Sequence, residues 1–488
     1  MKYLFTFLAA VLFRTALLSA QTPLNVYSIQ DLSKLQVSPT NSGTEFYFSF
    51  PPCYEEESAG YENSIRVFVM SPVKQLVTVE VPGRSWKITK VAAANDAVEF
   101  VIPTGVAQPF VKSGKASAPP EAVYKGAAVH VSAKAPVIVY GVTRYNYTSD
   151  GFLALPVSAT GSAYIVSTWP QSPVGNTGYN LISETAISAA YDETLVFFEM
   201  GGNTISTTSG GLQPGQKDTF RLDKGDVLCL ASNGVNQDIS GSIITSTKPV
   251  SVVSGNQCAS VPAGVQACDY ISEMELPIYA WGQEYHVTPF FGRKKNAYIR
   301  IFAKEPNTMV YKDGKEWFVL PKINGQIDNG YAERRADSNN PRAIVITADK
   351  PIYVVEYNSS QNDDNVTSDP FQIALTPFEQ YQKEIVFCTP GSKGGSNNFK
   401  LHYLNLIYQL ADSNRVPDDL EFAVVVNGKF EWRKVSSRFG ATPGMIFSVP
   451  INGATYACKQ ITLPGDGVYS IRANSPFTAY SYGFSNYD

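Results

Sequence analysis

Six cysteines, three histidines and a few recurring carboxylates are the side chains in this 488-residue chain whose chemistry could define a function. Cys258 and Cys268 stand ten residues apart around a loop with two turn-forming residues, Pro262 and Gly264. That spacing predicts a disulfide, and closing about eleven residues stabilises by roughly 3 kcal/mol in the chain-entropy estimate. Cys388 and Cys458, early and late in the last repeat, are expected to pair. Cys53 and Cys229 are then left to each other by exclusion. No CxxC and no Cys/His cluster is present, so no zinc site is expected. His130, His286 and His402 lie more than a hundred residues apart, and there is no GxSxG, HExxH or Walker loop. Glu273 and Glu275, two apart, would share one face of a strand. Two carboxylates about 5–10 Å apart across a cleft could cleave a glycosidic bond, but a solvated strand face is the expected reading. Asp150, Asp269 and Asp369 recur at matched places. One oxygen ligand per repeat is far short of the roughly six to eight that calcium takes, so a turn-forming role is expected. The chain is therefore read as non-enzymatic, with no catalytic residues, no metal and no cofactor.

The elements that must position these residues repeat. A Pro step followed by β-branched and aromatic residues occurs at Pro136 (APVIVYG), Pro249 (KPVSVVSG), Pro351 (KPIYVVEY) and Pro476 (SPFTAYSYG), spaced by 113, 102 and 125 residues. The first three are followed by the recurring Asp and then by Pro156, Pro277 and Pro377. Eight residues beyond each of those, at Tyr164, Tyr285 and Ile385, a strand is expected to begin. Proline alone would not fix such an offset, so the chain is read as a tandem array of related units. Many short apolar-aromatic runs separated by turn signals, among them Asp313-Gly314 and Asn427-Gly428, predict β-sandwiches.

The fold class expected is thus all-β, a tandem array of about four β-sandwich-like modules, with boundaries at 21–157, 158–278, 279–378 and 379–488. Within module one, Ala107 to Gly126 is expected to be a long loop. Short helical turns are expected at Ile29 to Leu35 and Ser158 to Ser162. Residues 1–20 read as a secretory signal peptide: Lys2, an apolar run from Leu4 to Phe13, then Ser19 and Ala20 before a cut. That places the mature chain outside the cell, where cysteines pair. The formal net charge of −4, with no basic cluster, excludes nucleic acid as an expected partner. No segment reaches about eighteen apolar residues, so no membrane insertion is expected.

The runs GDVLCLASNG, SGSIITSTKPVSVVSGNQCASVP, QACDYISEMELP, WGQEYHVTPFFGR and RIFAKEPNTMVYKDG, with ALPVSATGSAYIV upstream, resemble the N-terminal domain family of IgG Fc-binding protein. The resemblance runs from about Ala127 to Tyr357. It joins a Gly-Asn-Gln-Cys step, a spaced second Cys and a Trp-Gly. It implies a secreted, β-rich binding module of extracellular surfaces. The chain is therefore expected to be an extracellular recognition or adhesion protein that takes a protein or glycan ligand through loops on its sandwiches. The alternatives are a structural component of a matrix or mucus layer and, third, an enzyme acting on polysaccharide. The candidate contact surface is the loop between Pro249 and Pro277, with Gln257, Ser260, Val261, Pro262, Val265 and Gln266 as its contact residues. Asn146, Asn358 and Asn365 sit in N-x-Ser/Thr sequons and are candidate glycosylation sites on exposed loops.

Overall fold

In the computed structural model the four proline steps are not strand starts. They are the midpoints of four long strands, Val129–Arg144, Ile243–Ala259, Ile344–Tyr357 and Val468–Gly483. The structure describes residues 41–53, 64–110, 121–145, 148–170, 181–202, 205–320, 331–337, 340–389, 391, 401–451 and 453–484. The signal-peptide reading and the turn expected at Ile29 to Leu35 lie outside these residues.

Each long strand is the spine of one module. In module one its first half pairs with Gly43–Phe48 and Gln75–Val81, and its second half with Ser64–Ser71 and Ser149–Ala154. Modules two and three repeat that plan. In module four Gln382–Cys388 and Glu421–Val426 flank the first half and His402–Gln409 the second. The register slips at one place in all four. Gly43 faces Val137 but Glu45 faces Ser132; Gly161 faces Val250 but Ala163 faces Thr245. Gly282 faces Ile352 but Glu284 faces Thr347, and Gln382 faces Phe477 but Glu384 faces Arg472. The extra spine residues bulge around the proline. Proline has no N–H for a ladder, so it sits where pairing is interrupted and the strand passes from one layer to the other. In modules two and three a tyrosine closes the gap. The Tyr164 hydroxyl donates to the Val250 carbonyl (2.6 Å) and accepts from the Gly161 amide (2.7 Å). Tyr285 does the same with Ile352 (2.6 Å) and Gly282 (3.2 Å).

Alternation puts one face of both layers into a shared core. In module one Val77, Val79 and Val81 from one layer meet Ile65, Val67, Val69 and Phe100 from the other. The two hairpin signals fold as expected. Asp313 and Gly314 have φ 50° and 75°, Asn427 and Gly428 φ 50° and 74°, the left-handed pair that a two-residue turn requires. Trp86–Ala92 is a strand that its mixed polarity concealed. The expected loop Ala107 to Gly126 contains a strand, Ala122–Tyr124, which adds to the edge of module two at Val227–Cys229. At Ser158 to Ser162 only Val157–Ala159 is helical, as a single 3-10 turn.

Successive modules meet at a repeated joint. The openers start three residues before the aromatic signal, at Gly161, Gly282 and Gln382. A Cβ on Gly43 would fall 2.3 Å from Pro156 Cβ, on Gly161 2.6 Å from Pro277 Cβ, and on Gly282 2.5 Å from Pro377 Cβ. Each module's opening glycine therefore seats the proline that leads into the next module. The fourth equivalent position, Gln382, is exposed and carries a side chain. Gly161→Ala is expected to lower stability by about 1–3 kcal/mol through overpacking, whereas Gln382→Ala stays within about 0.5 kcal/mol. Urea midpoints measure both, and an unchanged midpoint for Gly161→Ala would show that the joint is not tight.

The array closes on itself. Phe68, Met70 and Val142 of module one pack with Cys388 and Val468 of module four, and the Asn95 amide donates to the Gly428 carbonyl at 3.0 Å. This packing corrects two expected disulfides. Cys258–Cys268 is formed, but Cys388 is not bonded to Cys458, nor Cys53 to Cys229. All four side chains are buried, each in a different apolar cluster, so neither pair can meet. Burial pushes the Cys388 and Cys458 thiols up to about 12, which makes them core residues of low reactivity.

Candidate functional site

The loop between Cys258 and Cys268 is only partly a surface. Gln257, Ser260 and Val261 are buried, against the expectation for contact residues. The Trp169 indole N–H donates to the Ser260 carbonyl (2.8 Å). Val261 exchanges two hydrogen bonds with Ser360 of module three: its carbonyl accepts from the Ser360 amide (2.7 Å) and its amide donates to the Ser360 hydroxyl (2.9 Å). The base of the loop is thus a wedge between modules two and three. Ala263, Gly264 and Gln266 are exposed at its tip, with Pro262 and Val265 half-buried beside them. Deleting Ala259 to Ala267 would remove the wedge along with the tip, so point substitutions are needed to separate recognition from folding.

The recurring aspartates do not make turns of their own. Asp150 and Asp269 lie in strands and bridge modules one and two. The Asp150 carboxylate accepts from the Ser272 amide (2.8 Å), and Asp269 accepts from the Thr148 hydroxyl and the Tyr270 amide. With Asp369 of module three they line one cavity of about 560 Å³, to which all four modules contribute residues. Ser149–Ala154, Asp269–Met274 and Gln372–Ala374 contribute to its wall, and module four adds Phe477, Tyr480 and Tyr482. Exposed Gln382, Glu384 and Ser481 mark where the cavity reaches solvent. Among the described residues no three His, Cys, Asp or Glu side chains are grouped to hold a metal ion. The sequence showed the aspartates as a repeat. It did not show that three modules turn them to a common cavity.

Glu273 and Glu275 overturn the solvated-face reading. Burial pushes both carboxyl groups up to about 8. Glu275 is 1% exposed and accepts from the Ser167 amide and from the Tyr353 hydroxyl (3.0 Å). Glu273 accepts from the amides of Met274 (2.9 Å) and Ala374 (3.3 Å) and lines the cavity, which Glu275 does not. The two therefore do not flank a common cleft as a glycosidase pair would. The histidines sit in three different modules with partners of their own. His130 stacks on Tyr47 between Glu45 and Glu80. His286 contacts Tyr381 and Glu284, and His402 contacts Asp466 at 2.7 Å.

Of the sequons, Asn146 lies outside the described residues. Asn358 is 1% exposed, and its amide donates to the Ser368 hydroxyl (2.6 Å) and the Asp369 carbonyl (2.7 Å). The nitrogen that a glycan would need is committed to the core, which corrects the expectation for Asn358. Asn365 is exposed at a left-handed turn with φ 56°. No helix among the described residues is long and apolar enough to cross a membrane.

A family model described as IgGFc binding protein matches residues 150–483. The chain is similar to the human (Homo sapiens) IgGFc-binding protein, 25% identical over 249 residues, which is 51% of this chain and 4% of that protein. The matched region thus spans a small fraction of that relative's length.

Proposed function

The chain belongs to the IgGFc binding protein family, and on that premise we propose that it is a secreted recognition or adhesion protein that binds a protein or glycan ligand through loops held on rigid β-sandwiches. The observation that carries this reading is the family match over residues 150–483. The geometry supports it, because the Val261–Ser360 and Trp169–Ser260 hydrogen bonds and the Cys258–Cys268 bond hold the tip Ala263 to Gln266 on a fixed base. A preorganised loop loses little conformational freedom on binding, which favours recognition. We further propose that Asn365 is the glycosylated position of the described sequons.

The test is a binding screen of the secreted full chain against an IgG Fc fragment, a glycan array and a panel of extracellular proteins. It is run beside a Val265→Asp/Gln266→Arg variant, which alters the tip and leaves Ser260 and Val261 in place. A partner whose affinity falls at least tenfold in the variant is the expected result. Equal binding moves the contact elsewhere, and failure of the whole panel favours a structural role in a matrix layer.

A further inference from the structure

We propose that the cavity shared by the four modules is a binding site for a small organic cation, an aryl or alkyl ammonium, distinct from the loop surface considered above. A volume of about 560 Å³ suits a small molecule, since ligand pockets run from roughly 300 to 1,000 Å³. Asp150, Asp269, Glu273, Asp369 and Glu384 line it, and its described lining holds no Lys or Arg. Its basic lining residue, His402, has Nε2 on Asp466 at 2.7 Å, and burial holds its pKa below the usual value. That imidazole is neutral near pH 7 and supplies no counter-charge.

Asp369 is the decisive residue. It is 7% exposed and lines the cavity, yet among the described residues no side chain or amide hydrogen-bonds its carboxylate. Burial pushes it up to about 6, with Arg293 opposing only through its charge. A buried carboxylate without a donor is a costly arrangement, and a ligand ammonium satisfies it. The adjoining wall is aromatic: Phe371 and Tyr482 stack at 5.7 Å, and Tyr480 and Phe152 also line the space. Aromatic rings in the same lining as a carboxylate suit an ammonium rather than a neutral alcohol or an anion. Asp150 and Glu273 take backbone amides instead, and burial raises both, Glu273 to about 8, so at pH 7 they are polar lining and the charge that attracts a cation is placed on Asp369.

The experiment is calorimetric titration of the full chain at pH 7 with benzylamine, choline and spermidine, with benzyl alcohol as the neutral match for benzylamine. At least one of the cations is expected to bind, with benzylamine at least tenfold tighter than benzyl alcohol. Asp369→Asn is expected to weaken cation binding tenfold or more while leaving the unfolding midpoint unchanged or raised, because among the described residues the carboxylate has no hydrogen-bond donor to lose and burial already disfavours its charge more than Arg293 favours it. The amine-against-alcohol contrast is read on the unmodified chain and does not depend on how the variant folds. Equal binding of amine and alcohol, an unaltered affinity in Asp369→Asn, or no heat from any of the three cations at 10 mM (roughly the limit of a useful weak site) would overturn the proposal.

Discussion

Arg300→Met is expected to cost about 3–5 kcal/mol of stability, the range for breaking a buried ion pair from one side. Arg300 and Asp238 side chains are each 1% exposed, and their charged atoms lie 2.7 Å apart. The guanidinium belongs to module three and the carboxylate to module two. The same guanidinium donates to the Thr168 carbonyl (2.8 Å), the Ser240 hydroxyl (2.7 Å) and Glu333 (2.7 Å). It also lies 4.4 Å from the Trp169 ring centroid and 4.6 Å from that of Tyr331. Burial alone would raise the Asp238 carboxyl, but Arg300 and the Thr168 hydroxyl hold it below the usual range. Methionine fills much of the same space, so the loss is dominated by a carboxylate stranded in the interior. Arg300→Met/Asp238→Asn is therefore expected to recover at least about 1.5 kcal/mol of the loss, because an amide keeps the Thr168 and Ser240 contacts without the charge. Chemical unfolding of the single and double variants checks this. Strictly additive effects would show that the pair is not the source. If modules two and three unfold together in the native chain, the single variant should also broaden or split the transition.

The sequence displayed the repeat because its markers are local and unusual. Pro136, Pro249, Pro351 and Pro476 punctuate apolar runs, and the same bulge forms at each. Asp313-Gly314 and Asn427-Gly428 specify their turns within two residues. The strand openers start three residues before their aromatic markers, a start that glycine conceals because Gly161 and Gly282 carry no β-propensity; they admit Pro277 and Pro377. What bears on binding was least legible. The cavity depends on contacts such as Phe68 with Val468 across the whole array, for which no local signal exists. The wedge under the disulfide loop depends on Ser360, about a hundred residues later. Cys258–Cys268, a local pair, was legible, whereas the Cys388–Cys458 and Cys53–Cys229 pairs are not formed. Elimination presumes that every cysteine must pair, and a thiol is equally at home as a small buried apolar group.

Glu275→Gln is expected to leave stability nearly unchanged at pH 5 and to raise it by about 4 kcal/mol at pH 8. Burial pushes the folded-state carboxyl up to about 8, from the ordinary 4.5 of a free glutamate. The folded chain therefore binds the proton more tightly than the unfolded chain. Its contribution is fully present below pH 4.5 and is lost as pH rises through 8. Glutamine imitates the protonated acid. Its oxygen accepts from the Ser167 amide, and its amide nitrogen faces the Tyr353 hydroxyl that Glu275 now engages at 3.0 Å. The histidines act in the opposite direction. Burial lowers the pKa of His286 and His402, so they favour folding above their unfolded value of 6.5 and oppose it below. The native profile mixes both effects, and neither slope can be assigned from it alone. Subtracting the variant's profile from the native one cancels the histidines and leaves the carboxyl. Thermal unfolding from pH 5 to 9 should give a difference that grows with pH and levels off above 8. A difference independent of pH would mean that Glu275 is ionised in the folded chain throughout, held by its two donors against the cost of burial.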